Sequence, residues 1–174
     1  CAPARASISP GKTPPQPGLH ALLPAHADGA ADCLAPATLV SERTSHAGSR
    51  TGLFGKWQAT TNSKLPQPGF DRWLSYDPYL AGWRNQYQHS GKVSFSSDGE
   101  PLEYTGVQAR FLTEEAIRFI DAGSDQPFFI SLNLTEPHAP VAGLPERRVA
   151  RYRSVVNEIV GAGGSSRRPD RGGS

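Results

Sequence analysis

Three short clusters of polar residues along this chain could bind or transform an anion. In the first, Cys1 is followed by Pro3 and Arg5, and a proline suits the first turn of a helix. Cys1 is therefore predicted to lie at a helix N-terminus, where the helix dipole and free N–H groups favour negative charge, with the cationic Arg5 one turn further on. An inert cysteine beside a surface arginine would have the same spacing, so this cluster alone does not identify a site.

The second and third clusters come at the ends of predicted strands. Lys56 lies in the run Gly55–Gln58, and His138 lies in the proline-rich run Thr135–Pro140 directly after the apolar run Pro127–Leu134. Ligands of open α/β sheets bind outside the carboxyl ends of the strands. Lys56 could therefore hold an anionic oxygen, and His138 could donate a proton or bind an anion. A solvated lysine and an ordinary loop histidine are the alternatives.

Helix and strand alternate in the part of the pattern that must position these side chains. The clearest helix is Gly106–Ala122, whose apolar residues recur at spacings of three and four, with Thr105 as a candidate cap and Gly123 as a candidate stop. The run Pro127–Leu134 is almost continuously apolar, which predicts a strand buried on both faces of a parallel sheet. A helix followed by such a strand indicates the α/β class, with a largely parallel sheet flanked by helices.

Shorter elements are predicted elsewhere, and long stretches are predicted to be loops. Residues 58–104 contain many prolines and glycines and are interpreted as loop, with a brief strand at Val93–Phe95. Residues 160–174 are rich in Gly, Arg and Ser and are interpreted as a disordered tail or an out-of-frame ending, which leaves residues 1–159 as one domain. The remaining predictions are helices at Pro3–Ile8, Thr38–Ala47 and Pro145–Ile159 and a short strand at Thr51–Trp57.

Composition limits the classes of protein that fit. Hydrophobic residues make up 37% of the 174 residues, which excludes a wholly disordered chain. The net charge of +2 gives no indication of nucleic-acid binding, and no apolar run approaches the roughly 18 residues of a membrane span. The two cysteines form no C-x-x-C pair, which argues against a structural zinc site. Because the chain begins with Cys1 and contains no methionine, we expect it to be an internal fragment of a longer parent protein.

The three clusters, taken in order, resemble the sulfatase family, the formylglycine-dependent branch of the alkaline-phosphatase-like hydrolases. The resemblance lies in C-x-P-x-R at Cys1–Arg5, G-K-W at Gly55–Trp57 and P-H-x-P at Pro137–Pro140, and it extends to Gly69-Phe70-Asp71. It covers residues 1–159. It implies a partial alkaline-phosphatase-like α/β sandwich that lacks its first strand and its C-terminal part.

The resemblance also implies a role for each residue of the three clusters. Cys1 matches the cysteine that a formylglycine-generating maturation enzyme oxidises, and Arg5 matches the arginine that stabilises the hydrated aldehyde. Lys56 and His138 match residues that contact the sulfate oxygens and assist the leaving group. Gln58 would be a further substrate-binding residue, at a position where the family usually has histidine. Calcium or magnesium is expected in the parent, with its ligands outside this chain.

The function implied is hydrolysis of a sulfate ester by the parent protein, with the isolated chain inactive because it lacks the metal ligands. A phosphonate or phosphate monoester hydrolase of the same superfamily is one alternative. A degenerate, non-catalytic paralogue that binds sulfated glycans is the other, and Gln58 favours it slightly. A periplasmic or secreted parent fits this function. The sequence does not indicate the alcohol that carries the sulfate or the oligomeric state.

Overall fold

A computed structural model describes residues 2–13, 34, 38–57, 59, 65–76, 90–123, 125–136 and 150. The chain divides into two compact units, Cys1–Gly143 and Leu144–Ser174. All described residues except Ala150, which is helical, belong to the first unit. The rest of the predicted helix Pro145–Ile159 and the predicted tail 160–174 lie outside the described residues.

The described part of the first unit forms a five-stranded sheet with helices. In chain order the elements are α1 (Ala2–Ile8), α2 (Val40–His46), β1 (Arg50–Gly55), β2 (Arg72–Ser75), β3 (Ser90–Ser97), β4 (Glu100–Val107), α3 (Gln108–Asp121) and β5 (Phe128–Asn133). The strand order is β4-β3-β2-β1-β5. β1 is parallel to both β2 and β5, whereas β2, β3 and β4 pair antiparallel. The α/β class is confirmed, and the sheet is mixed, with its parallel half around β1.

β1 is buried on both faces because successive side chains of a strand point to opposite sides. Leu53 belongs to one hydrophobic core, which also contains Ala6 of α1 and Leu39 beside α2. Phe54 belongs to the other, which contains Leu112 and other residues of α3. The sheet therefore lies between two apolar layers, and β1 contributes to both.

The interpretation of residues 58–104 as loop was wrong for β2, β3 and β4, while the brief strand predicted at Val93–Phe95 is confirmed as part of β3. β3 and β4 form a long hairpin joined at Asp98-Gly99, where both residues have positive φ (50° and 95°), as the tight turn of a hairpin requires. Val93 and Phe95 point into the core while Lys92 and Ser94 are exposed, the alternation of a strand with one buried face. Thr105 lies in β4 and does not cap α3, whose N-cap is Val107.

β5 confirms the predicted strand but not its burial on both faces. Phe128 is 50% exposed and Leu132 is 38% exposed, while Phe129 and Ile130 pack against the two cores. Within the described residues β5 pairs with β1 alone. An edge strand with one partner leaves some of its side chains in contact with water.

The motif Gly69-Phe70-Asp71 joins α2 to the parallel strands. Gly69 has φ +73° and lies so close to the backbone of α2 that a Cβ would overlap it. Phe70 packs in the core with Trp57, ring centroids 5.7 Å apart. A carboxylate oxygen of Asp71 accepts hydrogen bonds from the backbone N–H and hydroxyl of Thr51, at 2.8 and 3.0 Å. The motif thus fixes the start of β2 against the start of β1.

A close backbone contact joins the ends of β1 and β5. Gly55 has φ +101°, and a Cβ at this position would overlap the carbonyl oxygen of Asn133. The same oxygen accepts a hydrogen bond from the backbone N–H of Lys56, at 2.9 Å. Glycine is therefore required at this position for two reasons, its backbone conformation and the space available.

We expect Gly55→Ala to destabilise the chain more than Gly99→Ala. Both changes place a Cβ at positive φ, which costs roughly 1–2 kcal/mol. At Gly99 the new atom would meet only a Trp73 ring atom at 3.9 Å, whereas at Gly55 it would force β1 and β5 apart. The midpoints of thermal unfolding of the two variants measure the difference. Equal losses of stability would show that the contact with Asn133 imposes no constraint.

Candidate functional site

Polar side chains collect at the edge of the sheet where its three parallel strands end. Lys56 directly follows β1, Tyr76 directly follows β2, and Thr135 and Glu136 come just after β5. The carboxyl ends of parallel strands meet at one edge of a sheet, where ligands of open α/β folds bind. Arg5, on α1, adds a cation to this group because its charge acts on Lys56.

Lys56 is a cation held almost entirely out of water. The residue is 2% exposed, and its backbone N–H is bonded to Asn133. Burial and then the positive charge of Arg5 lower the pKa of Lys56 from 10.5 to about 8. The ammonium form therefore still predominates at pH 7, but it loses its proton as the pH rises through about 8.

Arg5 is only partly buried. Burial lowers the pKa of Arg5, and the nearby Tyr76 oxygen partly offsets this effect. Its Nε atom is buried and has no hydrogen-bond partner among the residues that the structure describes. Its neighbour Ala6 is fully buried in the core, which holds α1 against the sheet at this point.

Two cations within electrostatic range of each other, one buried and one partly buried, can bind an anionic ligand. Each cation loses hydration on burial, and each raises the cost of charging the other. An anion between them would offset both costs, and its oxygens could accept hydrogen bonds from the planar guanidinium of Arg5 and the ammonium of Lys56. The arrangement can therefore bind an oxyanion and stabilise negative charge that develops on it.

Sequence reasoning missed Tyr76 as a member of this group. Tyr76 is 1% exposed, and its hydroxyl is hydrogen-bonded to the hydroxyl of Thr135. The residue lies within the stretch that was interpreted as loop, so no strand end was assigned there. The apolar run Trp73-Leu74 just before it was the available signal for the short strand β2.

The other predicted site residues are not all within the described part of the chain. Arg5 and Lys56 are described and lie close enough to interact electrostatically. Cys1, Gln58 and His138 lie outside the described residues. Their roles stay predictions.

The described residues do not offer a metal site. Among them, no group of three His, Cys, Asp or Glu side chains could hold a metal ion. Asp71 is bonded to Thr51, and Asp98 lies in the β3–β4 turn, where its carboxylate binds the backbone N–H of Trp73 at 2.8 Å. The expected calcium or magnesium therefore does not fit these residues.

The described helices also include none that is long and apolar enough to span a membrane.

Comparisons with known proteins connect this fold to one family. A model of the sulfatase family matches residues 2–159. No sequence among the curated proteins matches the chain.

Solved structures share the fold at low sequence identity. The chain is similar to i-CgsB bound to k-i-k-neocarrahexaose, with a TM-score of 0.70, 21% identity and 89% of this chain covered. For a protein bound to its substrate D-glucosamine-2-N,6-O-disulfate, the TM-score is 0.65 and the sequence identity is 20%, with 89% of this chain covered. For the sulfatase PsFucS1 from Pseudoalteromonas sp., the TM-score is 0.61 and the sequence identity is 16%, with 92% of this chain covered. The matched region spans 38%, 28% and 41% of these three structures, so the chain corresponds to less than half of each.

We expect Arg5→Gln to raise the pKa of Lys56. The substitution removes the charge that is the second cause of the lowered value, while burial, the larger cause, remains. The pKa should therefore move upward from about 8 without reaching 10.5, as followed by NMR of the lysine side chain during a pH titration. Arg43→Gln, which removes an exposed cation from α2, is the control and should leave the titration of Lys56 unchanged. An unchanged Lys56 pKa in Arg5→Gln would show that the charge of Arg5 does not act on Lys56.

Proposed function

Because this chain belongs to the sulfatase family, we propose that it carries part of the active site of a sulfuric ester hydrolase, which cleaves a sulfate ester to an alcohol and inorganic sulfate. The observation that carries the proposal is the pair of cations at the carboxyl end of the parallel strands, the buried Lys56 and the partly buried Arg5. A sulfate ester presents three peripheral oxygens that share one negative charge, and this pair is opposite to them in sign. A bound anion would also stabilise the protonated forms of Arg5 and Lys56, which burial disfavours.

In this proposal Lys56 holds a peripheral oxygen of the ester, and Arg5, besides stabilising the hydrated aldehyde as the resemblance implies, contacts the other peripheral oxygens. The fork of Arg5 fixes two oxygens in a plane, and Lys56 acts as a point charge on another. Sulfuryl transfer increases the charge on the oxygens, so cations placed there before the reaction stabilise the transition state more than the ester. The burial of Lys56 strengthens this interaction because little water screens it.

The nucleophile and the leaving-group assistant come from residues outside the described part of the chain. Formylglycine formed from Cys1 by a maturation enzyme would supply, as its hydrate, the oxygen that attacks sulfur. His138 would donate a proton to the departing alcohol oxygen, and Gln58 would donate a hydrogen bond to the substrate. Calcium or magnesium would be held by residues other than those described.

Sulfated sugars are the substrates to test first. One structural neighbour is bound to D-glucosamine-2-N,6-O-disulfate and another to a neocarrahexaose, which supports a carbohydrate ester. Phosphate or phosphonate ester hydrolysis stays the alternative within the same superfamily, because two cations also suit a phosphate.

The reaction is tested in the complete protein with aryl sulfate, aryl phosphate and sulfated sugar substrates. We expect release of inorganic sulfate with kcat/KM well above that for the phosphate, and a Cys1 peptide whose mass corresponds to an aldehyde in place of the thiol. Cys1→Ala should abolish turnover, whereas Cys33→Ala is the matched control. Turnover of the phosphate alone would favour the alternative hydrolase. Binding of a sulfated glycan without turnover would favour a non-catalytic paralogue.

Sulfate binding can be measured separately from turnover. At pH 7 inorganic sulfate should raise the midpoint of thermal unfolding of the wild-type chain more than that of Lys56→Met. The difference should disappear above about pH 8, because deprotonated Lys56 no longer attracts the anion. Sulfate stabilises many proteins non-specifically, so the signal is the difference between variants. Lys92→Met, at an exposed lysine of β3, is the control and should respond like the wild type. An equal response of Lys56→Met would remove Lys56 from the site.

A further inference from the structure

We propose that Tyr76 is a positioning residue of the proposed sulfate pocket, which fixes the chain leaving β5 through the hydroxyl of Thr135. The inference rests on the proposed function and adds to it a residue that neither the motifs nor the family match assigns. Three observations support it: the place of the two residues in the sheet, the rigid environment of the tyrosine ring, and the position of Thr135 in the chain.

The hydrogen bond between Tyr76 and Thr135 joins strands that are not neighbours. Tyr76 follows β2 and Thr135 follows β5, and β1 lies between these two strands. Adjacent strands are about 4.8 Å apart, so β2 and β5 are roughly 10 Å apart and cannot share backbone hydrogen bonds. The long side chain of Tyr76 bridges this gap. It connects the outer strands of the parallel half near the point where the chain leaves β1 at Lys56.

The ring of Tyr76 is held in one place by the core. It packs edge-on against Phe95, with centroids 5.6 Å apart and planes at 74°. It belongs to the same cluster as Leu74 and Val93, and Leu134 packs against that cluster. A fixed ring gives a fixed hydroxyl, so the residue it binds, Thr135, is fixed as well. Thr135 is itself only 6% exposed, and a buried hydroxyl requires a partner.

The hydrogen bond lies at the start of the chain segment that carries His138. Thr135 is the first residue of Thr135–Pro140, and His138 lies three residues further along. Tyr76 is also close enough to Arg5 for its oxygen to affect the guanidinium. One phenol group therefore contacts Thr135, the first residue of that segment, and lies within electrostatic range of Arg5. A small shift of a catalytic group can lower the rate of a reaction by about 100-fold.

Tyr76→Phe in the complete protein tests the proposal because it removes only the hydroxyl. We expect kcat to fall about 10-fold or more with little change in KM, because the two cations that hold the ester remain. The fall should be larger for sugar sulfates than for aryl sulfates. Aryl alcohols leave without help, whereas sugar alcohols need a proton from a correctly placed His138. An equal loss for both leaving groups, or an unchanged kcat, would overturn the positioning role.

Two further variants separate positioning from general loss of stability. Thr135→Val should reproduce the effect of Tyr76→Phe, Thr135→Ser should restore activity, and the double variant should be no worse than either single change. Tyr104→Phe is the control, since Tyr104 packs against the same core through stacking on Phe111, with ring centroids 4.1 Å apart. It should retain full activity. Additive losses in the double variant would contradict a shared role.

A readout without turnover distinguishes failure of this inference from failure of the proposed function. Hydrogen exchange of the Glu136 amide should be at least 10-fold faster in Tyr76→Phe than in the wild type, and unchanged in Tyr104→Phe. If the wild type hydrolyses no sulfate ester, the proposed function fails, while faster exchange still supports the positioning role of Tyr76. Unchanged exchange at Glu136 overturns that role whether or not the protein is a hydrolase.

Discussion

Keeping the cationic Lys56 out of water, within electrostatic range of Arg5, costs free energy that the rest of the fold has to supply. The lowered pKa of Lys56 records this cost, because burial and Arg5 both disfavour its charged form. Apolar packing on both faces of β1 and the contact of Gly55 with Asn133 provide the compensation, since they hold Lys56 at its place regardless of its charge. The apolar cores therefore help to keep Lys56 buried in its charged form.

Much of the parallel half of the fold could be predicted from the sequence because its signals are local. The 3.6-residue periodicity of α3 and the apolar run of β5 are each contained in fewer than twenty residues. Lys56 could be assigned to a strand end for the same reason. Arg5 was placed one turn into α1 by Pro3, and the structure has a helix there. That Arg5 lies near Lys56 depends on how α1 packs against the sheet, which the strand-end rule does not cover.

The remaining features depend on contacts between distant residues, and local patterns do not contain them. The bond of Tyr76 to Thr135 exists because β2, β1 and β5 are adjacent in the sheet, and the exposure of Phe128 depends on which strands flank β5. The hairpin is a different case. Asp98-Gly99 between runs of alternating apolar residues is a strong local signal for a tight turn. The glycines and prolines around it led to an interpretation as loop instead.

The mixed sheet also sets an order in which its strands can pair during folding. β3 and β4 are joined by the Asp98-Gly99 turn, so they meet after closing a very short loop. β1 and β5 are separated by three strands and a helix, and the entropy lost on closing a loop increases with its length. The hairpin is therefore expected to form early. The backbone N–H of Asp98 then donates to the carbonyl of Trp73 in β2, and the Asp98 carboxylate accepts a hydrogen bond from the backbone N–H of Trp73. Pairing of β1 with β5 comes last, and it is this step that brings Lys56 to Asn133. A partly folded chain would have its hairpin and α3 but no anion site, so site formation would report completion of folding.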